Sequence, residues 1–420
     1  MVPSRRAART VPVVFRFWAL ASRFLLVFFL ARYLPPAEVG LYGLVAATIA
    51  YVVYVLGMDM YTYTTREVIK SEPTGWRKHL ASHSAFLGCV AVVVVPLLAL
   101  LFALGLLPWQ VAVWFFLIAV SEHVGMEIDR LLVSMSDQFG ASLVILVRQA
   151  ALPTVAIPLL ILVPGLRHLE LVFTGWFVFN AIAILLGVCL LLRRAPASGR
   201  ISIDWAWIRR GIAVSIPFLI GTLCLRLLFT ADRQVVALLE NLDVLAAYTL
   251  AMSIASGVSS VLAVGVHQFV YPRLVRSASQ RDGRSFQSGV RSLWGQTIIV
   301  AAGSLLVVLV TYEWIATWFG HEIYVEYGWL LPVAVAVVGV YNLSLVPHFA
   351  LYALHADRSI LVVTIGAVLA FVAVVPLSLA TGATVVVGVI TAVGAASLVL
   401  FGGKYWAYRR RVSAEGSWLA

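Results

Sequence analysis

Charge is what this chain of 420 residues has least of: 12% of its residues are Asp, Glu, Lys or Arg, against 62% hydrophobic. A soluble globular protein carries about twice that share of charge, so this composition excludes one. Acidic residues are scarcer than basic ones, 19 against 30, and the net charge is +11. In a soluble protein such an excess points to nucleic acid. Here, loops facing anionic membrane lipids account for it, and no nucleic-acid partner is expected. Cysteine is nearly absent. Cys89, Cys189 and Cys224 all lie in apolar stretches with no CxxC pair, which argues against both a disulfide framework and a metal site. A P-loop, an HExxH helix, a DxD pair and a defensible Ser/His/Asp set are also missing. No cofactor is therefore expected, and ATP-driven transport by this chain alone is disfavoured.

What the chain does have is long apolar runs. About twelve blocks occupy residues 12–33, 38–60, 80–106, 109–131, 140–163, 169–192, 208–230, 244–269, 289–312, 328–352, 359–380 and 384–406. Each is near the roughly 20 residues a bilayer span needs. None alternates with a period of two, so helices rather than barrel strands are expected. Arg5, Arg6 and Arg9 before the first block mimic a signal peptide. Arg16 and Arg23 interrupt that block and it runs too far, so an uncleaved first span is expected.

The basic residues sort by side. Arg66, Lys70, Arg77, Lys78, Arg130, Arg193, Arg194, Arg200, Arg209, Arg210, the cluster from Arg273 to Arg291, and Lys404 with Arg409 to Arg411 all fall on the side of both termini. In total 23 of 30 do so, whereas Arg32, Arg167 and Arg233 are all the other side holds. The positive-inside rule places both termini in the cytoplasm, which requires an even number of spans. The longest cytoplasmic connections are 193–207 and about 272–290, too short for a soluble domain. That argues against a membrane glycosyltransferase or polymerase with a catalytic loop domain.

The chain also halves. Gly40-Leu41-Tyr42-Gly43-Leu44 opens the second block and Ala246-Ala247-Tyr248-Thr249-Leu250 opens the eighth, 206 residues later. The expected organisation is a six-span lobe over 1–206 and a second over 207–420, related by an axis along the membrane normal.

Charges left inside the blocks carry the functional reading, because each is costly in a bilayer and normally faces a cavity or a partner. Arg16 and Arg23 share one face of the first helix, and Thr222, Arg226 and Arg233 form a stripe on the seventh. Arg16 and Arg226 can also snorkel, and Arg226 can pair with Asp232. Arg148 in the fifth block either reaches a cavity or neutralises a carboxylate of the fourth. The fourth is the most polar, with Glu122-His123-Val124-Gly125-Met126-Glu127-Ile128-Asp129-Arg130. His123, Glu127 and Arg130 share one helical face, and Glu122, Met126 and Asp129 share the adjacent one. This is either a cavity wall able to carry a coupling proton or an internal network that locks the helix. Asp59 reads as a helix-end residue, and Asn342 and His348 as packing residues.

Several of these segments resemble one family. Leu30-Ala31-Arg32-Tyr33-Leu34-Pro35-Pro36-Ala37-Glu38-Val39-Gly40-Leu41-Tyr42 is similar to the first-to-second span signature of oligosaccharide flippases. These form the O-antigen (Wzx-type) and polysaccharide-transporter branch of the multidrug/oligosaccharidyl-lipid/polysaccharide exporter superfamily. Arg226-x-x-x-Thr230-x-Asp232-Arg233 with Ala247-Tyr248 resembles the family's seventh-to-eighth span region, and Phe269-Val270-Tyr271-Pro272 resembles the end of its eighth. The 122–130 cluster with Arg148 looks like the fourth and fifth spans of one bacterial subgroup. The likeness is clearest over 12–275.

The resemblance implies an all-α integral membrane protein, a V-shaped transporter of two six-helix lobes in the bacterial inner membrane. It implies a substrate, an undecaprenyl-diphosphate-linked oligosaccharide for surface polysaccharide such as lipopolysaccharide O-antigen, flipped from the cytoplasmic to the outer leaflet by alternating access. Arg16, Arg23, Arg148 and Arg226 are then the expected diphosphate and sugar site. Glu122, His123, Glu127 and Arg130 are the expected coupling residues, with protons or sodium as the ion. Membrane lipids and a polysaccharide polymerase complex are expected partners. Guanidinium suits a diphosphate because it pairs phosphate oxygens two at a time. A drug or cation antiporter of the same superfamily would favour an acidic cavity instead.

Overall fold

The computed structural model describes residues 7–195 and 201–414, and every regular element among them is helical. Arg5, Arg6 and Arg200, counted above with the basic residues of one side, lie outside that range. The helices are α1 (Ala7–Tyr33), α2 (Pro36–Gly57), α3 (Tyr61–Lys70), α4 (Trp76–Leu97), α5 (Leu100–Ala103), α6 (Ala112–Ser134), α7 (Gln138–Leu162), α8 (Leu169–Arg194), α9 (Trp205–Leu239), α10 (Leu242–Leu262), α11 (Gln268–Ser279), α12 (Gly283–Trp318), α13 (Glu322–Glu326), α14 (Leu330–Ala353), α15 (Asp357–Ala380) and α16 (Val385–Ala414).

Twelve stretches among the described residues are helical, long enough and apolar enough to cross a membrane. The reason is backbone satisfaction: in hydrocarbon each N–H and C=O must bond within its own segment. The breaks have local causes. Pro36 opens α2, at a position where its missing N–H costs nothing. Asp137, Asn241 and Asp282 cap α7, α10 and α12 by accepting from the backbone N–H of Gly140, Val244 and Ser285. α10 runs through a π-helical turn, Ala263–His267, into α11. The expected long connection over 272–290 is therefore mostly helix, and only residues 280–282 separate α11 from α12.

The break after α2 is unusual. Met58 and Asp59 both have positive φ, 45° and 50°, a region that L-residues other than Asn, Asp and Gly rarely occupy. Asp59 lies at the end of α2, as expected, and is buried there.

The chain divides into two compact units, Met1–Leu34 with Leu44–Arg226 and Pro35–Gly43 with Leu227–Ala420. The division runs through α2 and α9. In the first unit α1 packs on α7, and α6, α7 and α8 pack on one another. Val68, Leu131, Leu132, Met135, Val144 and Leu191 form one apolar core, and Met60, Phe86, Trp207 and Ile208 form another. In the second unit α14 is central, against α10, α12 and α16. The N-terminal turns of α2 lie against α10 at very close range. A Cβ on Gly40 would overlap the Leu242 carbonyl oxygen, and one on Gly43 would overlap the Thr249 side chain. Glycine permits that backbone approach. The two similar segments around Tyr42 and Tyr248 thus touch each other.

Candidate functional site

α6 organises the charges of the first unit. Its two polar faces, about one residue or 100° apart around the helix, look at different neighbours and build two separate networks.

The first network is centred on Arg148 of α7, whose side chain is only 4% exposed. Its guanidinium forms one ion pair with Glu122 and a second with Asp129, Nη2 to Oδ2 at 2.7 Å. The two carboxylates are seven residues apart on α6, so one flat cation bridges two turns of one helix face. Gly125 lies between them, and a Cβ there would meet the Arg148 Cδ at 2.6 Å. Glu122 also accepts from the Trp176 indole N–H at 3.2 Å and the Asn180 amide at 3.0 Å, both on α8. Asn180 donates to Ser121 as well, at 3.2 Å.

The second network faces α2, α3 and α4. Glu127 accepts from Arg130 at 2.6 Å and lies 3.0 Å from His83 Nε2. His83 Nδ1 meets the Thr64 hydroxyl at 2.9 Å. His123 packs beside them against Gly57, which leaves room for its ring. The Arg130 guanidinium stacks on Tyr61, 3.6 Å from the ring centroid, a cation–π contact. Tyr54 lies between two cations, with Arg130 at 5.8 Å and Arg226 at 4.8 Å from its centroid. Arg226 also donates to the Tyr54 hydroxyl at 2.9 Å. Asp59 joins this region through Thr222 and feels the Arg130 and Arg226 charges.

The expected diphosphate residues separate accordingly. Arg23 and Arg226 are exposed. Arg23 lies within electrostatic reach of Glu122. Arg16 is half-buried and bonds neutral groups of α7, Ser142 at 3.2 Å and Gln138 at 3.3 Å. Arg148 is buried with its charge shared between two carboxylates. Asp232 is not paired with Arg226. It accepts from Tyr248 at 3.0 Å and from the Arg233 backbone N–H at 2.7 Å.

Sequence reasoning found both faces of α6 but missed most of their partners. Trp176, Asn180 and Tyr54 are single polar or aromatic residues in apolar surroundings, whereas Tyr61, Thr64 and His83 lie in polar stretches. The lone Asn180 inside a span was the available signal.

Outside the spans, Asp204 accepts from the Trp207 backbone N–H at 2.9 Å and pairs with Lys78 at 2.8 Å. The hydrogen bond from the Lys78 ammonium holds its carboxyl below the ordinary value. Among the described residues no cluster of His, Cys, Asp and Glu is arranged to hold a metal ion.

The polysaccharide biosynthesis protein family matches residues 20–278, more than half of the chain. The chain belongs to that family. The likeness in solved structures covers nearly its whole length. The inward-facing conformation of a multidrug resistance MATE family transporter of the MOP superfamily superposes with a TM-score of 0.73 at 14% identity, over 94% of this chain and 96% of that one. Lipid II flippase MurJ, inward closed, gives a TM-score of 0.71 at 9% identity, over 95% of this chain and 87% of that one. A MOP superfamily transporter from Pyrococcus furiosus, described by a reversed polarity of its binding pocket, gives 0.60 at 13% identity, over 97% and 95%. No curated protein matches the chain in sequence. Its described residues contain twelve helical stretches able to span a membrane, arranged in the fold shared by MATE transporters and MurJ.

Proposed function

We propose that this protein flips an undecaprenyl-diphosphate-linked oligosaccharide from the cytoplasmic to the outer leaflet of a bacterial inner membrane, by alternating access of two six-span lobes, 1–206 and 207–420. One observation carries the choice of an anionic substrate. On the charged helices α1, α6, α7 and α9 of the first unit, the carboxylates Glu122, Glu127 and Asp129 are buried and ion-paired, while the exposed charges Arg23 and Arg226 are cationic. A carrier of cationic drugs needs reachable carboxylates, and these are enclosed. A diphosphate needs reachable guanidinium groups, which pair with its oxygens in a fork.

In this reading Arg23 and Arg226 meet the head group and Arg16 guides it from the membrane surface. Arg148 acts from behind, by fixing the charge of Glu122 close to Arg23. The polyprenyl tail stays in lipid. The Glu127–His83 pair, joined to Arg130 and to Thr64, is the proposed coupling element, with a proton as the ion. Both termini are cytoplasmic, by the distribution of basic residues.

The deciding experiment is complementation with a lipid readout. The gene is deleted, or depleted if loss is toxic, and lipid-linked oligosaccharide is assigned to a leaflet. Accumulation on the cytoplasmic leaflet, relieved by wild type but not by Arg23→Ala or Arg226→Ala, is the expected result. Normal export in both variants would overturn the cationic site. New sensitivity to cationic drugs without lipid accumulation would assign the chain to the multidrug branch instead.

A further inference from the structure

The second unit groups three basic side chains, Lys404 and His267 buried and His348 partly so, and among the described residues no acid is ion-paired with any of them. Lys404 of α16 is 1% exposed, yet it lies only five residues before Arg409, Arg410 and Arg411 near the end of that helix. It is counted by sequence with the surface cations of that side, but it does not reach the surface. His348 of α14 lies within electrostatic reach of both Lys404 and His267, the residue that closes the π-helical turn. Phe349 ties the group together, its ring centroid 4.9 Å from His267 and 5.6 Å from His348. The Nδ1 of His348 and the Nε2 of His267 are buried without a hydrogen-bond partner. Among the described residues no carboxylate forms an ion pair with Lys404.

This arrangement is unfavourable as it stands. A buried ammonium is strongly penalised unless paired, and unpaired buried imidazole nitrogens add to that cost. Packing alone does not account for it, because a Met would fill the same space without the penalty. The short π segment that brings His267 to the group is the kind of helix irregularity found mostly at functional sites.

We propose that Lys404, His348 and His267 form a binding site for a phosphate group, separate from the arginines of the first unit. Depth favours phosphate over other anions. Lys404 is five residues from Arg409, about 7.5 Å along the helix. If the basic helix ends lie at the cytoplasmic surface, that places the ammonium near the head-group and acyl boundary, where lipid phosphates are the abundant anions. Exposed Tyr405 and Trp406 flank the same turn, side chains that favour that interface. The phosphate belongs either to an anionic membrane lipid or to a soluble diphosphate. Both present the same oxygens to three donors. The site does not depend on the flippase reading.

The test uses full-length protein, purified in neutral detergent and stripped of lipid. Binding is followed by thermal unfolding as phosphatidylglycerol, inorganic pyrophosphate or phosphatidylcholine is titrated. Wild type should be stabilised by phosphatidylglycerol and not by phosphatidylcholine. Lys404→Met should weaken that affinity by roughly tenfold or more, the loss of one charged contact. A matching response to pyrophosphate would make a soluble diphosphate a sufficient source, and no response to it would assign the phosphate to lipid. A wild type indifferent to both anions, or a Lys404→Met variant that binds as wild type does, would overturn the proposal. If Lys404→Met does not fold, His348→Gln decides: weaker binding supports the site and unchanged binding overturns it.

Discussion

Arg226 reaches across from α9 to α2 and donates to the Tyr54 hydroxyl at 2.9 Å while lying over the same ring. One aromatic residue thus both aims and screens an exposed intramembrane cation. Tyr54→Phe should keep the ring and lose the aim. Because a hydrogen bond from a charged donor is worth about 1.5–3 kcal/mol, polysaccharide export should fall by roughly tenfold or more. Tyr54→Ala, which also removes the cation–π contact, should lower it further. Surface polysaccharide per cell is the measurement. Equal export in Tyr54→Phe and wild type would mean that the hydroxyl does not position Arg226.

Arg148 should behave as a stability residue first. Removing it leaves Glu122 and Asp129 buried without their cation, and breaking a buried pair in this way costs about 3–5 kcal/mol. Arg148→Met should therefore unfold in detergent at a clearly lower temperature than wild type. The triple variant Arg148→Met, Glu122→Gln, Asp129→Asn should recover much of the loss, because no charge is stranded. If the triple variant exports poorly despite being stable, Arg148 also contributes to the electrostatics at Arg23.

Glu127→Gln tests the coupling element. The substitution keeps the shape and hydrogen-bonding reach toward His83 and Arg130 but removes the charge that joins them. Transport into vesicles should lose its response to an imposed pH gradient. An unchanged response would leave Glu127 as a lock between α6 and α4.

Asp204 gives a pH prediction outside the spans. Its carboxyl is held below the ordinary aspartate value, near 3.9. Stability from such a group is present above the unfolded value and is lost as pH falls through the lower folded one. The Lys78–Asp204 tie should thus be intact at neutral pH and open only in strong acid. Asp204→Asn should reproduce the open state at neutral pH, with amides 205–210 exchanging hydrogen several-fold faster. Unaltered exchange there would show that the tie does not hold the first turn of α9.

The close packing of α2 on α10 is the last target. Gly43→Ala should destabilise by about 1–3 kcal/mol, the usual range for overpacking. Thr249→Ala should recover part of it, because it removes the outer atoms that the new methyl meets. Gly40→Ala has no such remedy, since it meets the backbone carbonyl of Leu242. Independent, additive effects at Gly43 and Thr249 in a double-mutant cycle would exclude direct contact.

The fold was readable because spans obey length and composition, which are local properties. The face assignments on α6 were readable for the same reason, since spacing fixes which residues look the same way. What those faces meet depends on tertiary packing. Nothing in the spacing of Glu122 and Asp129 says that Arg148 bridges both, and nothing marks His83 as the partner of Glu127. The burial of Asp59 at its helix end was not readable, because two consecutive left-handed residues leave no signature in Met58-Asp59. Lys404 was placed at the surface because its neighbours Arg409–Arg411 are there, whereas its burial comes from the packing of α14 on α16.

The Arg148 bridge also bears on how the chain enters the membrane during synthesis. α6 has the least apolar best window of the twelve spans and carries three carboxylates, so it would enter lipid poorly on its own. The cation that neutralises two of them arrives with the next helix, and only residues 135–137 separate α6 from α7. The pair is therefore suited to leave the translocon as a hairpin, its charges already matched, so that the nascent chain never exposes either helix alone to hydrocarbon.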